Sequence, residues 1–263
     1  MSSARLARIG GGVLATTLVL LLTLPIVALV ATARGADFRL AIDRGMIDAL
    51  ALSLASTALA ALLVVVLGTP LAYWLARRSG PLARVVEALV TLPAVTPPAV
   101  AGVALLAAFG RSGLFGSALA AIGIGLPFTP AAVVMAQLFV AAPFYVLPAA
   151  GAFREIDDDL LFTARSLGAG PLRVFGRIAV PLALPALLSA LAVAWARALG
   201  EFGATLVFAG NLPGMTQTLP IAIYATMEGD LGPARAMAIV LLAWAVVLFA
   251  LLRRAPFRRR LER

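Results

Sequence analysis

Apolar residues follow one another along this chain in long stretches, without the regular polar positions of a half-buried soluble helix or strand. Six of these runs reach about 20 residues, the length at which an α-helix crosses about 30 Å of hydrocarbon. They extend over residues 9–33, 47–76, 85–109, 129–150, 182–208 and 233–252. The pattern predicts an all-α, polytopic transmembrane bundle of about six spans, formed by a single domain over residues 1–263.

Two of the runs carry features that refine this prediction. The third contains Pro93, Pro97 and Pro98, so we expect its helix to be bent or broken near the middle. The first follows Arg5 and Arg8, as the apolar part of a secretory signal also does. Its apolar length exceeds the 7–15 residues that are usual in a cleaved signal, so we expect an uncleaved first helix.

The composition argues against a soluble enzyme. Hydrophobic residues make up 62% of the chain and charged residues 13%, whereas soluble domains are about half apolar and a quarter charged. The chain has no Cys and no His, and all 21 of its basic residues are Arg. These absences exclude disulfides, the usual zinc sites and the common nucleophile pairs. Without Lys the chain cannot form a phosphate-binding loop, so any ATP hydrolysis must come from a partner.

The arginines fall into two groups of loops that alternate along the chain. Cytoplasmic loops of membrane proteins carry the basic excess, so the larger group and both termini are predicted to be cytoplasmic. That group holds Arg5, Arg8, Arg77, Arg78, Arg84, Arg154, Arg165, Arg173, Arg177, Arg253, Arg254, Arg258, Arg259, Arg260 and Arg263, and the other holds Arg34, Arg39, Arg44 and Arg111. Because the arginines separate apolar runs and do not line one face, the net charge of +9 does not indicate a nucleic-acid partner.

The predicted cytoplasmic loop over residues 151–181 contains the signals of two short helices. Asp157 and the acidic residues after it suit a helix N-terminus, and Gly168 suits a left-handed cap at the end of that helix. Pro171 suits the first turn of a second helix, which Pro181 is expected to end. On these local features alone, a plain helical loop with solvated charges is the simpler interpretation.

The spacing within this loop resembles the coupling loop of ABC importer permeases. The family pattern is Glu-Ala-Ala, three residues, Gly, nine residues, Ile, one residue and Leu-Pro. The matching positions are Gly168, Ile178 and Pro181, whereas Val180 replaces Leu, and Phe162, Thr163 and Ala164 occupy the Glu-Ala-Ala positions. The resemblance implies a coupling helix that docks on a cytoplasmic ATPase subunit. ATP and Mg²⁺ would then be bound by that partner, and this subunit would bind no cofactor.

Two further segments extend the resemblance. Residues 92–102 are similar to the Pro-rich third span of molybdate and sulfate permeases, and residues 196–224 resemble molybdate permeases more closely than sulfate or tungstate permeases. The resemblance implies the type I importer permease fold and a homodimer with ATPase subunits and an extracytoplasmic substrate-binding protein. The implied function is ATP-driven import of molybdate across the cytoplasmic membrane, with tungstate or sulfate/thiosulfate as alternative substrates. A secondary transporter or channel is the alternative of another class, but it would need no ATPase-docking loop and would more often show an inverted repeat.

Arg197 and Glu201 are charged residues within the fifth run, four positions apart and therefore predicted to share one helix face. A charge at the centre of a bilayer costs roughly 2.5–3.5 kcal/mol or more, which an ion pair or a wet cavity reduces. The two residues either line or gate the translocation path or form a structural pair that fixes helix packing. For Pro97, Pro98 and Gly203 the alternatives are similar: a position beside the path, or a kink and close packing without a transport role.

Overall fold

The computed structural model of the protein describes residues 3–253, and the side chains of residues 12–251. Within this range the chain forms helices and no strand, in the order α1 (Ser3–Ala31), α2 (Gly35–Asp43), α3 (Met46–Arg77), α4 (Pro81–Val95), α5 (Pro98–Phe109), α6 (Gly116–Ala121), α7 (Pro130–Arg154), α8 (Asp158–Ser166), α9 (Pro171–Val174), a π turn (Phe175–Ala179), α10 (Val180–Leu199), α11 (Gly203–Ala209), α12 (Leu219–Met227) and α13 (Leu231–Arg253).

The prediction of an all-α bundle with about six spans is confirmed. Five helical segments are long and apolar enough to cross a membrane, and α4 together with α5 provides a bent sixth. The predicted basic tail from residue 254 onwards lies outside the described residues, as do the side chains of Arg5, Arg8 and Arg253.

Helices α3 and α7 pack against each other at the centre of the bundle. Gly68 lets them approach closely, because a Cβ atom at this position would lie 3.0 Å from the ring of Tyr145. Beside it the hydroxyls of Thr69 and Tyr145 share a hydrogen bond of 2.7 Å, so two polar groups inside the bundle satisfy each other. Helix α10 completes this core through Leu187 and four alanines, Ala183, Ala190, Ala194 and Ala198.

Helix α1 lies at the edge of the bundle. Its apolar span is exposed all round, as expected for a helix whose neighbours are lipid chains. Just after α1 ends, the carbonyl of Thr32 accepts a hydrogen bond of 2.6 Å from Arg235 Nη1 on α13, which connects this helix to the rest of the bundle.

The Pro-rich third run is broken, as its sequence predicts. Helix α4 ends at Val95, Thr96 and Pro97 are extended, and α5 leaves at an angle of 119° to α4. Two effects of proline cause the break: Pro97 and Pro98 have no N–H to continue the helix, and each disfavours the α conformation in the residue before it. At 1.5 Å per residue, the break lies about 22 Å along α4 from its start, which is within the depth of a bilayer.

The fifth run differs from its prediction as a single helix. Helix α10 ends at Leu199 and α11 begins at Gly203, so Glu201 lies in a break between them and not on a helix face shared with Arg197. The break gives the buried carboxylate of Glu201 a donor that a helix interior does not offer, the free N–H of Ala204 in the first turn of α11.

The loop between α7 and α10 forms the two predicted short helices. The side chain of Asp157 accepts a hydrogen bond of 2.9 Å from the N–H of Asp159 and caps α8, and Gly168 has a φ of +87° just after α8 ends. Pro171 occupies the first turn of α9. The prediction that Pro181 ends this helix is wrong, because the helix continues through a π turn directly into α10. Pro181 cannot donate to the carbonyl of residue 177, and the wider π turn just before it accommodates the lost bond.

The chain between α11 and α13 returns into the bundle, which the sequence did not indicate. The N–H of Leu219 donates to Ser53 Oγ at 2.7 Å, and Ser53 lies about 10 Å along α3 from its start at 1.5 Å per residue. Helix α12 then leads back towards the end of the bundle where Arg44 and Asp230 form an ion pair of 3.5 Å.

Candidate translocation and coupling sites

The breaks of the third and fifth runs lie against each other. A Cβ atom on Gly203 would lie 2.7 Å from Pro98 Cβ, and one on Gly102 would lie 2.6 Å from Val207 Cβ. The first residues of the two helices contact each other, and so do residues one turn further along each helix. Helices α5 and α11 therefore run parallel, starting from adjoining breaks. Glycine at both positions is therefore a steric requirement of the crossing.

Glu201 joins the two halves of the broken fifth run. Its side chain is 1% exposed, and its Oε1 accepts a hydrogen bond of 2.8 Å from the N–H of Ala204, at the start of α11. Its Oε2 forms an ion pair of 2.8 Å with Nη1 of Arg197, in the last turn of α10. One buried carboxylate thus contacts the end of one helix and the beginning of the next.

The ion pair is asymmetric in its exposure. The side chain of Arg197 is 31% exposed, so its charge reaches the surface of this subunit, while the carboxylate of Glu201 does not. A carboxylate without its counter-charge here would be more costly than a guanidinium without its partner, because only the guanidinium reaches the surface of the subunit.

The broken backbone at Pro97 and Pro98 lies on the surface of the subunit. Both prolines are exposed, and the neighbouring side chain of Val95 is 71% exposed. An apolar cavity of 590 Å³ opens beside this break between α4, α7 and α10, with Ala94 and Ser189 among its lining residues. Irregular backbone at membrane depth does not face lipid, so this surface requires a protein or water neighbour.

At the opposite end of α10, residues 157–179 form what we call the coupling segment, which holds α8, α9 and the π turn. Ala179 belongs to the buried core of the bundle and Phe175 packs against that core, while Leu161 and Val174 are also buried. Its outer surface carries large apolar side chains, with Phe162 exposed by 69%, Leu167 by 84% and Leu172 by 86%. Apolar groups of this size at the tip of a loop indicate a contact surface.

The residues predicted as sites gather at these two places. Pro97, Pro98, Arg197, Glu201 and Gly203 lie at or beside the adjoining breaks. Phe162, Thr163, Ala164 and Gly168 lie on or just after α8, whereas Ile178 belongs to the π turn and Pro181 to the start of α10. Their roles in transport and coupling stay predictions.

Sequence reasoning missed Arg77, which binds the start of the coupling segment. Its Nη1 lies 2.6 Å from Asp158 Oδ1, and its Nη2 donates to the carbonyl of Phe153 at 2.6 Å. In the sequence Arg77 and Arg78 are indistinguishable as basic residues that follow an apolar run. No local signal separates the one that folds back onto the protein from the one that is exposed.

Comparison with known proteins identifies the family of this chain. Residues 68–261, most of the chain, match the family model of binding-protein-dependent transport system inner membrane components. The chain belongs to this family. It is 46% identical over 199 residues to the molybdenum transport system permease protein of Mycobacterium bovis, covering 76% of this chain and 75% of that protein. It is 33% identical over 238 residues to the probable sulfate transport system permease protein of Helicosporidium, covering 88% of each.

The fold has a solved counterpart in the same class of transporter. A chain of a bacterial alginate ABC transporter, crystallised with an alginate-bound periplasmic protein, superposes with a TM-score of 0.78 at 18% identity, covering 98% of this chain and 96% of that chain. The chain is therefore a multi-pass membrane permease of the ABC importer type, a transport subunit and not itself an enzyme.

Proposed function

We propose that this permease carries molybdate across the cytoplasmic membrane as the membrane-spanning subunit of an ATP-driven importer. The observation that carries the proposal is the 46% identity to a molybdenum transport permease over three quarters of both chains. Tungstate and sulfate are the alternative substrates, since all three are doubly charged tetrahedral anions. The lower identity of 33% to a sulfate permease favours molybdate.

The partner at the cytoplasmic end is proposed to be an ATPase subunit that receives the coupling segment. The exposed side chains of Phe162, Leu167 and Leu172 support an apolar contact. An ionic contact of the kind that a Glu would make at position 162 is not available here. This permease binds no nucleotide in the proposal, and ATP and Mg²⁺ belong to the partner.

The partner at the broken backbone is proposed to be a second copy of this chain. Pro97 and Pro98 cannot face lipid, and the apolar cavity beside them would be completed by a copy that meets this face. The translocation path then runs between the copies, next to the break between α10 and α11 where Glu201 contacts Arg197.

Orientation in the membrane follows from the arginines. Arg77, Arg78, Arg84, Arg154, Arg165, Arg173 and Arg177 lie at the end of the bundle that carries the coupling segment, and Arg34, Arg39, Arg44 and Arg111 lie towards the other end. The basic excess supports a cytoplasmic coupling segment and cytoplasmic termini. The opposite end then receives a substrate-binding protein that selects the anion.

The test is uptake by the complex reconstituted in proteoliposomes with its ATPase and binding proteins. Labelled molybdate, tungstate and sulfate are supplied with a cognate binding protein, and a hydrolysis-deficient ATPase serves as the matched control. We expect ATP-dependent uptake of molybdate, with sulfate inactive. Uptake of sulfate alone would leave a permease with another substrate, and absence of ATP-dependent uptake of all three anions would refute the oxyanion function.

A further inference from the structure

Arg77, the last residue of α3, lies where α7 ends and the coupling segment begins. Its guanidinium donates hydrogen bonds to Asp158 Oδ1 at 2.6 Å and to the carbonyls of Phe153 at 2.6 Å and Ile156 at 3.2 Å. Its side chain is 16% exposed. A single side chain of α3 therefore contacts the end of α7, the connection that follows it and the first residue of α8.

The chemistry of this contact suits arginine specifically. The last carbonyls of a helix have no intrahelical donor and form the negative end of its dipole, so a cation at the end of α7 is favoured. A planar guanidinium can serve several acceptors at once, which a lysine ammonium on its flexible stem does less well. Asp158 adds an opposite charge, but its side chain is 87% exposed, so the two carbonyls are the contacts shielded from water.

One turn earlier, Tyr73 connects α3 to the other end of the coupling segment. Its ring lies 5.3 Å from the ring of Phe153 and 5.0 Å from that of Phe175 in the π turn, measured between centroids. The guanidinium of Arg77 lies 5.8 Å from the centre of the same tyrosine ring. The last turns of α3 thus contact both the start and the finish of the coupling segment.

We propose that Arg77 is a positioning residue that fixes the coupling segment to α3, so that movement of the segment is passed to the core of α3 and α7. This inference rests on the proposed function, which supplies the ATPase whose movement is transmitted. Arg154 provides the contrast: it pairs with Glu87 on α4 at 3.1 Å, with side chains 44% and 40% exposed. That pair joins two membrane helices near the same end of the bundle, and no described ion pair or hydrogen bond links it to α8.

The experiment compares Arg77→Gln, Arg77→Lys and Asp158→Asn in the reconstituted complex, with Arg78→Gln and Arg154→Gln as charge-matched controls. Two quantities are measured: molybdate uptake per ATP hydrolysed, and amide hydrogen exchange over residues 155–168. For Arg77→Gln we expect the uptake ratio to fall by about fivefold or more, the scale of a typical coupling between sites. We also expect amide exchange over residues 155–168 to accelerate by about tenfold, because these residues lose the charge-assisted hydrogen bonds of Arg77.

The other variants separate the backbone contacts from the ion pair. Arg77→Lys keeps the charge without the planar guanidinium, so its uptake ratio and exchange rate should lie between those of wild type and Arg77→Gln. Asp158→Asn and both controls should stay within about twofold of wild type, because exposed ion pairs contribute little. An effect of Asp158→Asn as large as that of Arg77→Gln would overturn the assignment to the backbone carbonyls.

The inference is overturned if Arg77→Gln matches Arg78→Gln in both the uptake ratio and the exchange rate. If Arg77→Gln does not accumulate in the membrane, Arg77→Lys carries the test with the same two measurements. A wild-type complex that transports none of the three anions refutes the proposed function. The hydrogen-exchange comparison still decides whether Arg77 positions the coupling segment in that case.

Discussion

Neutralising Arg197 and Glu201 separately and together tests how the break in the fifth run is held. Arg197→Gln leaves a carboxylate that is 1% exposed without its counter-charge, and breaking a buried pair in this way costs about 3–5 kcal/mol. Glu201→Gln is milder, because the amide oxygen can still accept from the N–H of Ala204 and the guanidinium of Arg197 reaches the surface. Replacing a charge-assisted hydrogen bond by a neutral one costs about 1–2 kcal/mol.

The double variant decides between an interacting pair and two independent residues. With both charges absent, no buried carboxylate remains unpaired, so we expect the Arg197→Gln, Glu201→Gln protein to be more stable than Arg197→Gln alone. The interaction energy from the cycle should be about 2 kcal/mol, well above the roughly 0.5 kcal/mol scatter of independent sites.

The assay is the apparent melting temperature of the purified protein in detergent, followed by tryptophan fluorescence. At about 2–4 °C per kcal/mol for a chain of this size, Arg197→Gln should melt about 10 °C below wild type. The double variant should melt above Arg197→Gln alone and below wild type. Melting shifts that simply add would refute the ion pair as the element that holds the break.

Transport by the Glu201→Gln variant then decides between the two interpretations of the pair. If Glu201 only fixes helix packing, the variant that assembles should import anion at the wild-type rate. If the pair gates the path, import should change while assembly stays close to wild type and the melting temperature falls by only the few degrees expected from about 1–2 kcal/mol.

Three further predictions follow from individual contacts. Gly203→Ala should lower the free energy of unfolding by about 1–3 kcal/mol in thermal melts, because its Cβ would meet Pro98 at 2.7 Å, whereas Gly200→Ala, with its nearest atom at 3.6 Å, should not. Phe162→Ala should weaken co-purification of the ATPase by about tenfold or more, because burial of the aromatic ring is worth about 1.5–3 kcal/mol. Unchanged co-purification would refute the docking surface. Tyr145→Phe should lower the free energy of unfolding by about 0.5–1.5 kcal/mol in the same melts, because Thr69 Oγ1 keeps its hydrogen bond of 2.6 Å to the carbonyl of Val65. Thr69→Val should lower it by more, because it leaves the buried hydroxyl of Tyr145 unpaired.

The spans and the coupling segment could be predicted because their signals are local. A run of apolar residues specifies a membrane helix by length alone, and Asp157, Gly168 and Pro171 each act on the backbone within one turn. The broken third run was equally predictable, since a proline removes its own N–H whatever the surrounding fold.

The features that the sequence did not reveal depend on contacts between distant segments. Glu201 leaves the helix because Ala204 offers a free N–H and Gly203 must fit against Pro98, and neither constraint is local to the apolar run. Pro181 was expected to end a helix, but a proline in the first turn of α10 is compatible with a continuous helix when a π turn precedes it. The contacts of Arg77 lie 76 to 81 positions away along the chain.

Helix α10 is the element through which the two candidate sites can act on each other. It continues from the π turn of the coupling segment without interruption and carries Arg197 in its last turn. Its 20 residues form a rod about 30 Å long, because a helix rises 1.5 Å per residue. We therefore expect a displacement of the coupling segment to move Arg197 together with α10, whereas α11 beyond the break packs against α5 at the Gly203–Pro98 contact. Because Glu201 contacts both helices, we expect coupling and the conformation of the break to change together in variants of Arg77 and of Glu201.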